Sequence, residues 1–285
     1  MKKSLKYFLE AIFVYSSFII ARILGLSLSR NIFSFIFRMF GPLIRSNIII
    51  KKNLLNLSND LSDQKRHNII SSVWANYGMT FVEYIFLNRF RKNNSHIKIQ
   101  GEEILYDLIA SKKPAIFISG HFANFELMSM ELTKKKINLA TIYRPLNNFF
   151  INPFMEYLRK KYVCKNQIEK GLAGVKKIVR YINVNHSIAL MIDQRVSEGE
   201  KIKFFNKEAY TTTLPAQLAI KHNLKIIPIF IERDLNNLFK MKIYDPIDPS
   251  IYQNKFNLSK KLNQILEEMI IKNPNQWIWT HDRWK

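Results

Sequence analysis

The residues of this 285-residue chain that are best placed for chemistry are His121 and Glu126, which are separated by four residues. They fall in the stretch 115–126 (AIFISGHFANFE), in which an apolar run after Pro114 predicts a buried strand that Gly120 ends. Imidazole exchanges protons near neutral pH, and a carboxylate beside it fixes its tautomer and stabilises the imidazolium. We therefore interpret His121 as a general base and Glu126 as its partner carboxylate, a pair that needs no metal.

This interpretation depends on where the predicted helix begins. Five residues turn through about 140° on a straight α-helix, so the two side chains meet only if His121 lies in the turn before the helix. Spacing by itself is weak, since a chain with this His and acid content contains such a match by chance roughly four times in ten. A structural histidine that caps the helix therefore remains an alternative at this point.

The elements around this pair indicate an α/β fold with a mainly parallel, mixed sheet flanked by helices, because short apolar runs alternate with amphipathic segments from residue 96 onward. Strands are predicted at 97–100, 115–119, 139–143, 188–192 and 226–231, with an edge strand at 241–244. Helices are predicted at 60–87, 124–135, 153–161, 172–182, 215–222 and 258–271.

Three polar residues each follow the carboxyl end of a predicted strand: His121, Arg144 and Asp193. In a parallel sheet these ends meet at one edge, which is where ligands bind in open α/β folds. The sequence therefore predicts that a base, a cation and an acid converge there. Polar residues often end strands, so each residue considered alone also has an ordinary structural interpretation.

The charge of the chain favours an anionic partner, because 44 Lys and Arg face 22 Asp and Glu and give a net charge of +22. Nucleic acid, an acidic carrier protein and anionic lipid head groups all fit that charge. The single cysteine, Cys164, excludes an intramolecular disulfide and a cysteine-rich metal site. It stands in no reactive motif and is interpreted as a packed thiol.

The N-terminal part of the chain predicts membrane association. An apolar segment at 7–28 is interrupted by Glu10 and Arg22, and its uncharged centre, 11–21, is shorter than the roughly 18 residues of a clear membrane span. It is compatible with a helix that spans the bilayer or lies in its interface. We divide the chain into membrane-associated helices at 1–58 and an α/β domain at 59–285.

Five motifs, taken in order, give the chain a family resemblance. It resembles the bacterial lipid A biosynthesis acyltransferases, the late lauroyl and myristoyl transferases. The motifs are Gly120 to Glu126 (GHFANFE), Tyr143-Arg144-Pro145 with Asn147, Asp193-Gln194, Phe204-Phe205 followed by Ala209 and Thr211 to Thr213, and Gln276 to His281 (QWIWTH) with Arg283-Trp284-Lys285. The His-x4-acid element is shared with the glycerol-phosphate acyltransferases, so the resemblance implies a glycerolphosphate-acyltransferase-like fold.

The resemblance implies roles for six residues. His121 would be the catalytic base and Glu126 its partner, and Arg159 and Asp193 match two further positions that the family needs for activity. Arg144 and Asn124 would contact substrate. Without the resemblance, Arg159 reads as part of a solvated helix face, and the donors for an oxyanion remain open between Arg159 and backbone amides near Asn124.

The resemblance also implies a reaction, partners and a location. The reaction is transfer of a fatty acyl group from acyl carrier protein to a hydroxyl of a Kdo-bearing lipid A precursor, with no cofactor and no metal. The partners would be acyl carrier protein, a glycolipid acceptor and membrane lipids, but not nucleic acid. The chain would sit at the bacterial inner membrane with its catalytic domain on the cytoplasmic face.

Alternatives and departures accompany this interpretation. The acceptor could be another glycolipid or a glycerol phosphate, or the chain could be a non-catalytic, basic protein that binds anionic surfaces. Phe149 and Asp282 stand where many family members have a proline and a basic residue. The three tryptophans at Trp277, Trp279 and Trp284 would either anchor the chain in the head-group layer or dock its end onto the sheet.

Overall fold

A seven-stranded sheet runs through the part of the chain that the computed structural model describes, residues 2–44, 47–58 and 61–285. Its strands lie in the order β1-β9-β8-β2-β5-β3-β4, and all neighbours are parallel except β8 and β9. A separate antiparallel hairpin consists of β6 and β7. The strands are β1 Ile97–Gln100, β2 Ile116–Ser119, β3 Leu139–Tyr143, β4 Asn166–Glu169, β5 Ser187–Met191, β6 Glu200–Phe204, β7 Lys207–Thr211, β8 Ile226–Arg233 and β9 Phe239–Ile243.

The sheet confirms the predicted α/β class. All four residues of β2 are buried, as expected for a central strand covered on both faces. The predicted edge strand at 241–244 was wrong in its placement, since β9 lies between β8 and β1, and the edge strands of the sheet are β1 and β4. Strand β4 (NQIE) was not predicted because it carries only one aliphatic residue, and β6 and β7 were not predicted because charged residues alternate with their buried ones.

Three of the six helices of the α/β part begin at residues with a clear local cause. Proline stands in the first turn of α8 and of α10, where its missing N–H costs nothing, and Asn254 caps α11 by accepting from the amides of Phe256 and Asn257. Only α6 was missed by the sequence prediction. The helices are α6 Glu103–Ser111, α7 Glu126–Lys134, α8 Asn152–Leu158, α9 Leu172–Asn183, α10 Leu214–His222 and α11 Lys255–Lys272, and a π-helical turn, Arg159–Val163, follows α8.

The described residues before the sheet form five further helices: α1 Lys2–Leu24, α2 Leu26–Ile44, α3 Asn47–Leu57, α4 Asp63–Glu83 and α5 Leu87–Lys92. The predicted helix 60–87 corresponds to α4, which begins after Ser62, whose side chain accepts from the amide of Lys65. Its predicted first residue, Asp60, lies outside the described residues. A 3-10 turn, Tyr84–Phe86, separates α4 from α5.

Helix α1 is long and apolar enough to cross a membrane by length and composition. Only 22% of its apolar window is buried inside the protein. It nevertheless contributes Ala11, Phe18 and Ala21 to the same hydrophobic core as the sheet. Both predicted parts of the chain, 1–58 and 59–285, therefore contribute side chains to one core. The boundary between a membrane-associated part and an α/β part stays a prediction.

A buried ion cluster ties the first helices to the sheet. Glu83, at the end of α4, is fully buried and accepts from Arg30 of α2 and Arg233 of β8. Burial opposes ionisation of Glu83, but the two guanidinium groups outweigh it and hold the pKa of this carboxyl below its usual range. Since removal of one member would leave an uncompensated buried charge, the cluster fixes α2, α4 and β8 relative to one another.

The contact between α2 and α4 depends on a glycine. A Cβ added at Gly78 would meet the backbone carbonyl of Phe33, which leaves no room for a methyl group. The two helices therefore approach as closely as their backbones allow.

We expect Gly78→Ala to lower the free energy of unfolding by about 1–3 kcal/mol because it overpacks this contact. If the contact were not tight, the better helix propensity of alanine would instead raise the free energy of unfolding by about 1 kcal/mol. The sign of the measured change therefore tests the close approach. Chemical denaturation of the full chain measures it, with Ser71→Ala on the same helix as control. A stabilised Gly78→Ala protein would contradict the packing.

Candidate active site

His121 lies in the turn between β2 and α7, as the sequence predicted, and its side chain is 19% exposed. A Cβ at Gly120 would come within 3.2 Å of Asp193 Oδ2 and closer still to Phe122, so glycine allows the turn to pass beside Asp193. Ala123, two residues after His121, adopts a left-handed conformation, with φ of 43°. Its carbonyl accepts from Thr80 Oγ1 at 3.1 Å. The turn is thus fastened to α4.

Asp193 is the partner of His121 in the structure. The imidazole Nδ1 lies 2.7 Å from Asp193 Oδ1, while the backbone N–H of His121 and the indole N–H of Trp277 donate to Oδ2 at 2.6 and 2.9 Å. Asp193 has no exposed surface. Burial raises the pKa of this carboxyl, but the imidazole and these hydrogen bonds outweigh burial and hold it below its ordinary value.

The predicted contact between His121 and Glu126 was wrong. Glu126 Oε1 instead accepts from the Tyr84 hydroxyl at 2.6 Å and from Arg159 Nε at 2.7 Å. The cause is geometric. Glu126 is the first residue of α7, where it faces Tyr84 and Arg159, and the imidazole Nδ1 is bound by Asp193. The pairing of β2 with β5, which delivers Asp193, cannot be read from the spacing of His121 and Glu126.

Glu126, Arg159 and Tyr84 form a second polar group beside His121. Arg159 Nη2 also donates to the Tyr84 hydroxyl at 3.1 Å, so the three side chains close a triangle. Burial lowers the pKa of Arg159, but Glu126 and Tyr84 outweigh it and raise this pKa above its usual value. Burial raises the pKa of Tyr84 as well. Arg159 therefore stays charged, and Tyr84 keeps its proton.

Residues from both groups, His121, Glu126 and Arg159, line one cavity of about 500 Å³. Strand-end and helix residues from β2, β3, β5 and α7 contribute to its wall. The lining residues are His121, Phe125, Glu126, Met128, Ser129, Thr141, Ile142, Tyr143, Arg144, Pro145, Leu146, Asn147, Arg159, Val163, Gln167, Lys170, Ala189, Leu190, Met191, Gln194, Val196, Thr212, Leu214 and His281. Four of them, Arg144, Leu146, Asn147 and Lys170, are exposed and define its mouth.

The two predicted substrate contacts have different outcomes. Arg144 lines the cavity at its mouth, as convergence of the strand ends predicted. Asn124 does not line it: the side chain is fully buried and donates to Glu83 Oε2 at 2.9 Å. The prediction of a substrate contact at Asn124 was wrong because the tight turn after His121 directs this amide towards α4. Asn124 instead joins the turn to the buried ion cluster.

The C-terminal tryptophans dock onto the protein rather than face a membrane. Trp277 and Trp279 are 1% and 0% exposed, and Trp284 donates to the carbonyl of Phe204. Asn53 of α3 donates to the carbonyls of Trp279 and His281, which holds this segment beside the cavity. The sequence analysis missed that Trp277 reaches Asp193. Its indole N–H, a donor that needs a partner when buried, is the signal that could have indicated it.

A buried cation, Arg283, lies near Asp193. Arg283 is fully buried, donates to the carbonyl of Tyr210 and to Thr211 Oγ1, and lies over the ring of Phe204. Burial lowers the pKa of Arg283 to about 10, although Asp193 opposes that change. The positive guanidinium therefore contributes to the field that keeps Asp193 ionised.

Sequence comparisons with known proteins agree on one family. A sequence model described as "Bacterial lipid A biosynthesis acyltransferase" matches residues 2–285. The chain is similar to a lipid A biosynthesis acyltransferase of Haemophilus influenzae, with 24% identity over 85% of this chain and 78% of that protein. It is also similar to the lipid A biosynthesis lauroyltransferase of Escherichia coli, with 21% identity over 83% of this chain and 78% of that protein.

The chain is also similar to a solved structure. That structure is the 1-acyl-sn-glycerophosphate acyltransferase of Thermotoga maritima, with a TM-score of 0.43 and 15% identity over 87% of this chain and 99% of that chain.

We expect Asp193→Asn to lower the free energy of unfolding by about 3 kcal/mol at pH 7, because three donors converge on the carboxylate and an amide cannot accept from all of them. The lowered pKa stabilises the folded state above the ordinary carboxyl pKa of about 4, and this contribution is lost as the pH falls through the lowered value. The difference from wild type should therefore narrow below about pH 4.

Urea denaturation between pH 7 and pH 3 measures this difference. The exposed Asp107 on α6 provides the control, since Asp107→Asn should change stability by less than about 0.5 kcal/mol. A difference between wild type and Asp193→Asn that stays constant with pH would contradict the ionised state of Asp193.

Proposed function

The chain belongs to the bacterial lipid A biosynthesis acyltransferases, and we propose that it transfers a fatty acyl group from acyl carrier protein to a hydroxyl of a Kdo-bearing lipid A precursor. The observation that carries the proposal is an imidazole held by a buried carboxylate in the wall of a cavity of about 500 Å³. The free ring nitrogen of His121, Nε2, makes no hydrogen bond within the described part of the chain.

His121 acts as the general base. Its Nε2 takes the proton of the acceptor hydroxyl as the oxygen attacks the thioester carbonyl, and Asp193 stabilises the imidazolium that forms. The new C–O bond makes the ester, and the C–S bond to the carrier breaks. The imidazolium returns its proton to the departing thiolate, so the histidine ends in its starting state and the steps require no covalent acyl-enzyme.

Arg159 stabilises the oxyanion of the tetrahedral intermediate. Its guanidinium lines the cavity with His121 and is held by Glu126 and Tyr84 through Nε and Nη2. Its Nη1 makes no hydrogen bond to the described residues. A fixed cation in a water-poor site stabilises developing negative charge without reorganising. Glu126 is thus a positioning residue for Arg159 rather than for His121.

The charge of the protein supports an acidic donor. Arg144 and Lys170 lie exposed at the mouth of the cavity on a chain with a net charge of +22. Such a surface attracts an acidic carrier protein and the phosphates of a glycolipid, and raises their rate of encounter.

We assign the membrane contact to residues 1–58 and the chemistry to residues 59–285. Helix α1 is long and apolar enough to insert, and most of its large apolar side chains are exposed. The protein would act at the bacterial inner membrane, with the cavity on the cytoplasmic face, where acyl carrier protein is available.

The test incubates the purified full chain with acyl carrier proteins of several chain lengths and the lipid A precursor, and reads product masses. Wild type should add one acyl group. His121→Ala should lower turnover at least about 10³-fold while folding and vesicle binding persist. Near-normal turnover in that variant would contradict the base. Transfer only to glycerol phosphate or another glycolipid would contradict the acceptor, and DNA retention without transfer would indicate a non-catalytic binding protein.

We expect Arg159→Lys to lower kcat by about 10²-fold with little change in KM, because an ammonium group cannot hold Glu126 and Tyr84 in the planar geometry of a guanidinium. The neighbouring Lys160 is exposed, so Lys160→Arg provides a matched control with unchanged kcat. Steady-state kinetics with acyl carrier protein measures both. A raised KM with an unchanged kcat would assign Arg159 to ground-state binding instead.

A further inference from the structure

The loop between β3 and α8 presents apolar side chains to solvent at the mouth of the cavity. Leu146, Phe149 and Phe150 are 40%, 55% and 37% exposed. Phenylalanine side chains are costly to leave in water, and two adjacent exposed rings at a site entrance indicate a surface that another phase or molecule covers.

The loop is fixed in this conformation by polar contacts with α1. Asn148 is buried and donates to the carbonyl of Tyr7 at 2.8 Å and to Glu10 at 3.1 Å. Its side-chain oxygen accepts from the amide of Phe150 at 3.1 Å, and the Tyr15 hydroxyl donates to the carbonyl of Phe150 at 2.8 Å. The exposure of the rings is therefore built into the fold, since the backbone that carries them is held at several points.

The exposed rings continue the apolar surface of α1. Phe149 packs edge-on against Tyr7 with ring centroids 5.9 Å apart, and Phe150 packs edge-on against Phe8 at 5.7 Å. The same helix exposes further large apolar residues, so the loop and the helix share one surface. These residues are Leu5, Phe8, Leu9, Ile12, Phe13, Ile19, Ile20 and Ile23.

Cations border this apolar surface. Lys3 and Lys6 lie exposed at the start of α1, and Arg144 lies exposed at the start of the loop. Aromatic rings beside basic side chains suit the boundary of a bilayer with anionic head groups, because the rings enter the apolar edge while the cations meet phosphates. An acidic protein would match the cations but would leave the rings without an apolar counterpart.

The loop also belongs to the cavity. Leu146 and Asn147 line it and are exposed at its mouth. A bilayer that covers Phe149 and Phe150 would therefore lie directly against the entrance.

We propose that residues 146–150 form a second membrane contact, inserted beside α1 into the head-group layer of an anionic bilayer, which opens the cavity onto the lipid leaflet. A lipid acceptor then enters laterally, without leaving the membrane. The route of the acceptor rests on the proposed function, whereas the membrane contact does not depend on it.

The test attaches an environment-sensitive fluorophore to a single introduced cysteine in the full chain and adds vesicles of phosphatidylethanolamine and phosphatidylglycerol. The native Cys164 is buried and stays largely unlabelled. The probe replaces Phe149, or Ile23 of α1, or Val184. Val184 is 62% exposed and lies just before β5, so it lies at the amino ends of the parallel strands, opposite the carboxyl ends that border the cavity.

We expect the emission to shift to the blue at positions 149 and 23 and to stay unchanged at 184. A shift at 23 without one at 149 would overturn the second contact while leaving the α1 anchor. No shift at 149 and 23, or equal shifts at 149 and 184, would also overturn it. None of these results depends on acyl transfer, so failure of the proposed function is recognised separately.

A pair of substitutions then tests the lateral route. Phe149→Ser should lower turnover about tenfold when the acceptor is embedded in vesicles, because an apolar insertion is lost, and should leave turnover unchanged when detergent disperses the acceptor. Val184→Ser, equally polar but remote, should change neither. An equal loss in vesicles and detergent would overturn the route, as would unchanged turnover in both.

Discussion

The arrangement of the site depends on one buried charge, the carboxylate of Asp193. A carboxylate without solvent contact persists only if hydrogen bonds and positive charge compensate for its lost hydration. The backbone and ring of His121 and the indole of Trp277 supply those hydrogen bonds. The sheet, the turn after β2 and the C-terminal segment must therefore meet at this point. Folding of the chain end and orientation of the His121 ring are consequences of the same requirement.

A second buried carboxylate, Glu83, connects the site with the first helices. It binds Arg30 of α2 and Arg233 of β8, and it accepts from Asn124 in the turn that carries His121. Helices α2 and α4 are thus joined to the turn through one side chain. The position of His121 relative to these helices is consequently set within the folded chain.

Sequence patterns predicted the sheet class and the meeting of His121, Arg144 and Asp193 at one edge, because strand polarity and apolar runs are local signals. They did not predict which carboxylate holds His121. That outcome depends on the neighbouring position of β2 and β5 and on the first turn of α7, which sends Glu126 towards Arg159. Asn124 was misplaced for a related reason, since the left-handed backbone at Ala123 redirects it. Strand β4 and the hairpin β6–β7 lacked apolar runs altogether.

The π-helical turn at Arg159–Val163 fixes the number of residues that this segment of the polypeptide can contain. The amide of Cys164 bonds to the carbonyl of Arg159, five residues earlier, where an ordinary α-helix would close its ring over four. This turn holds one residue more than the regular spiral. Deleting a single residue here would restore regular winding but rotate Val163 and Cys164 by about 100° out of the interior. The extra residue lets this short segment place Arg159 in the wall of the cavity while Val163 and Cys164 are buried in the core.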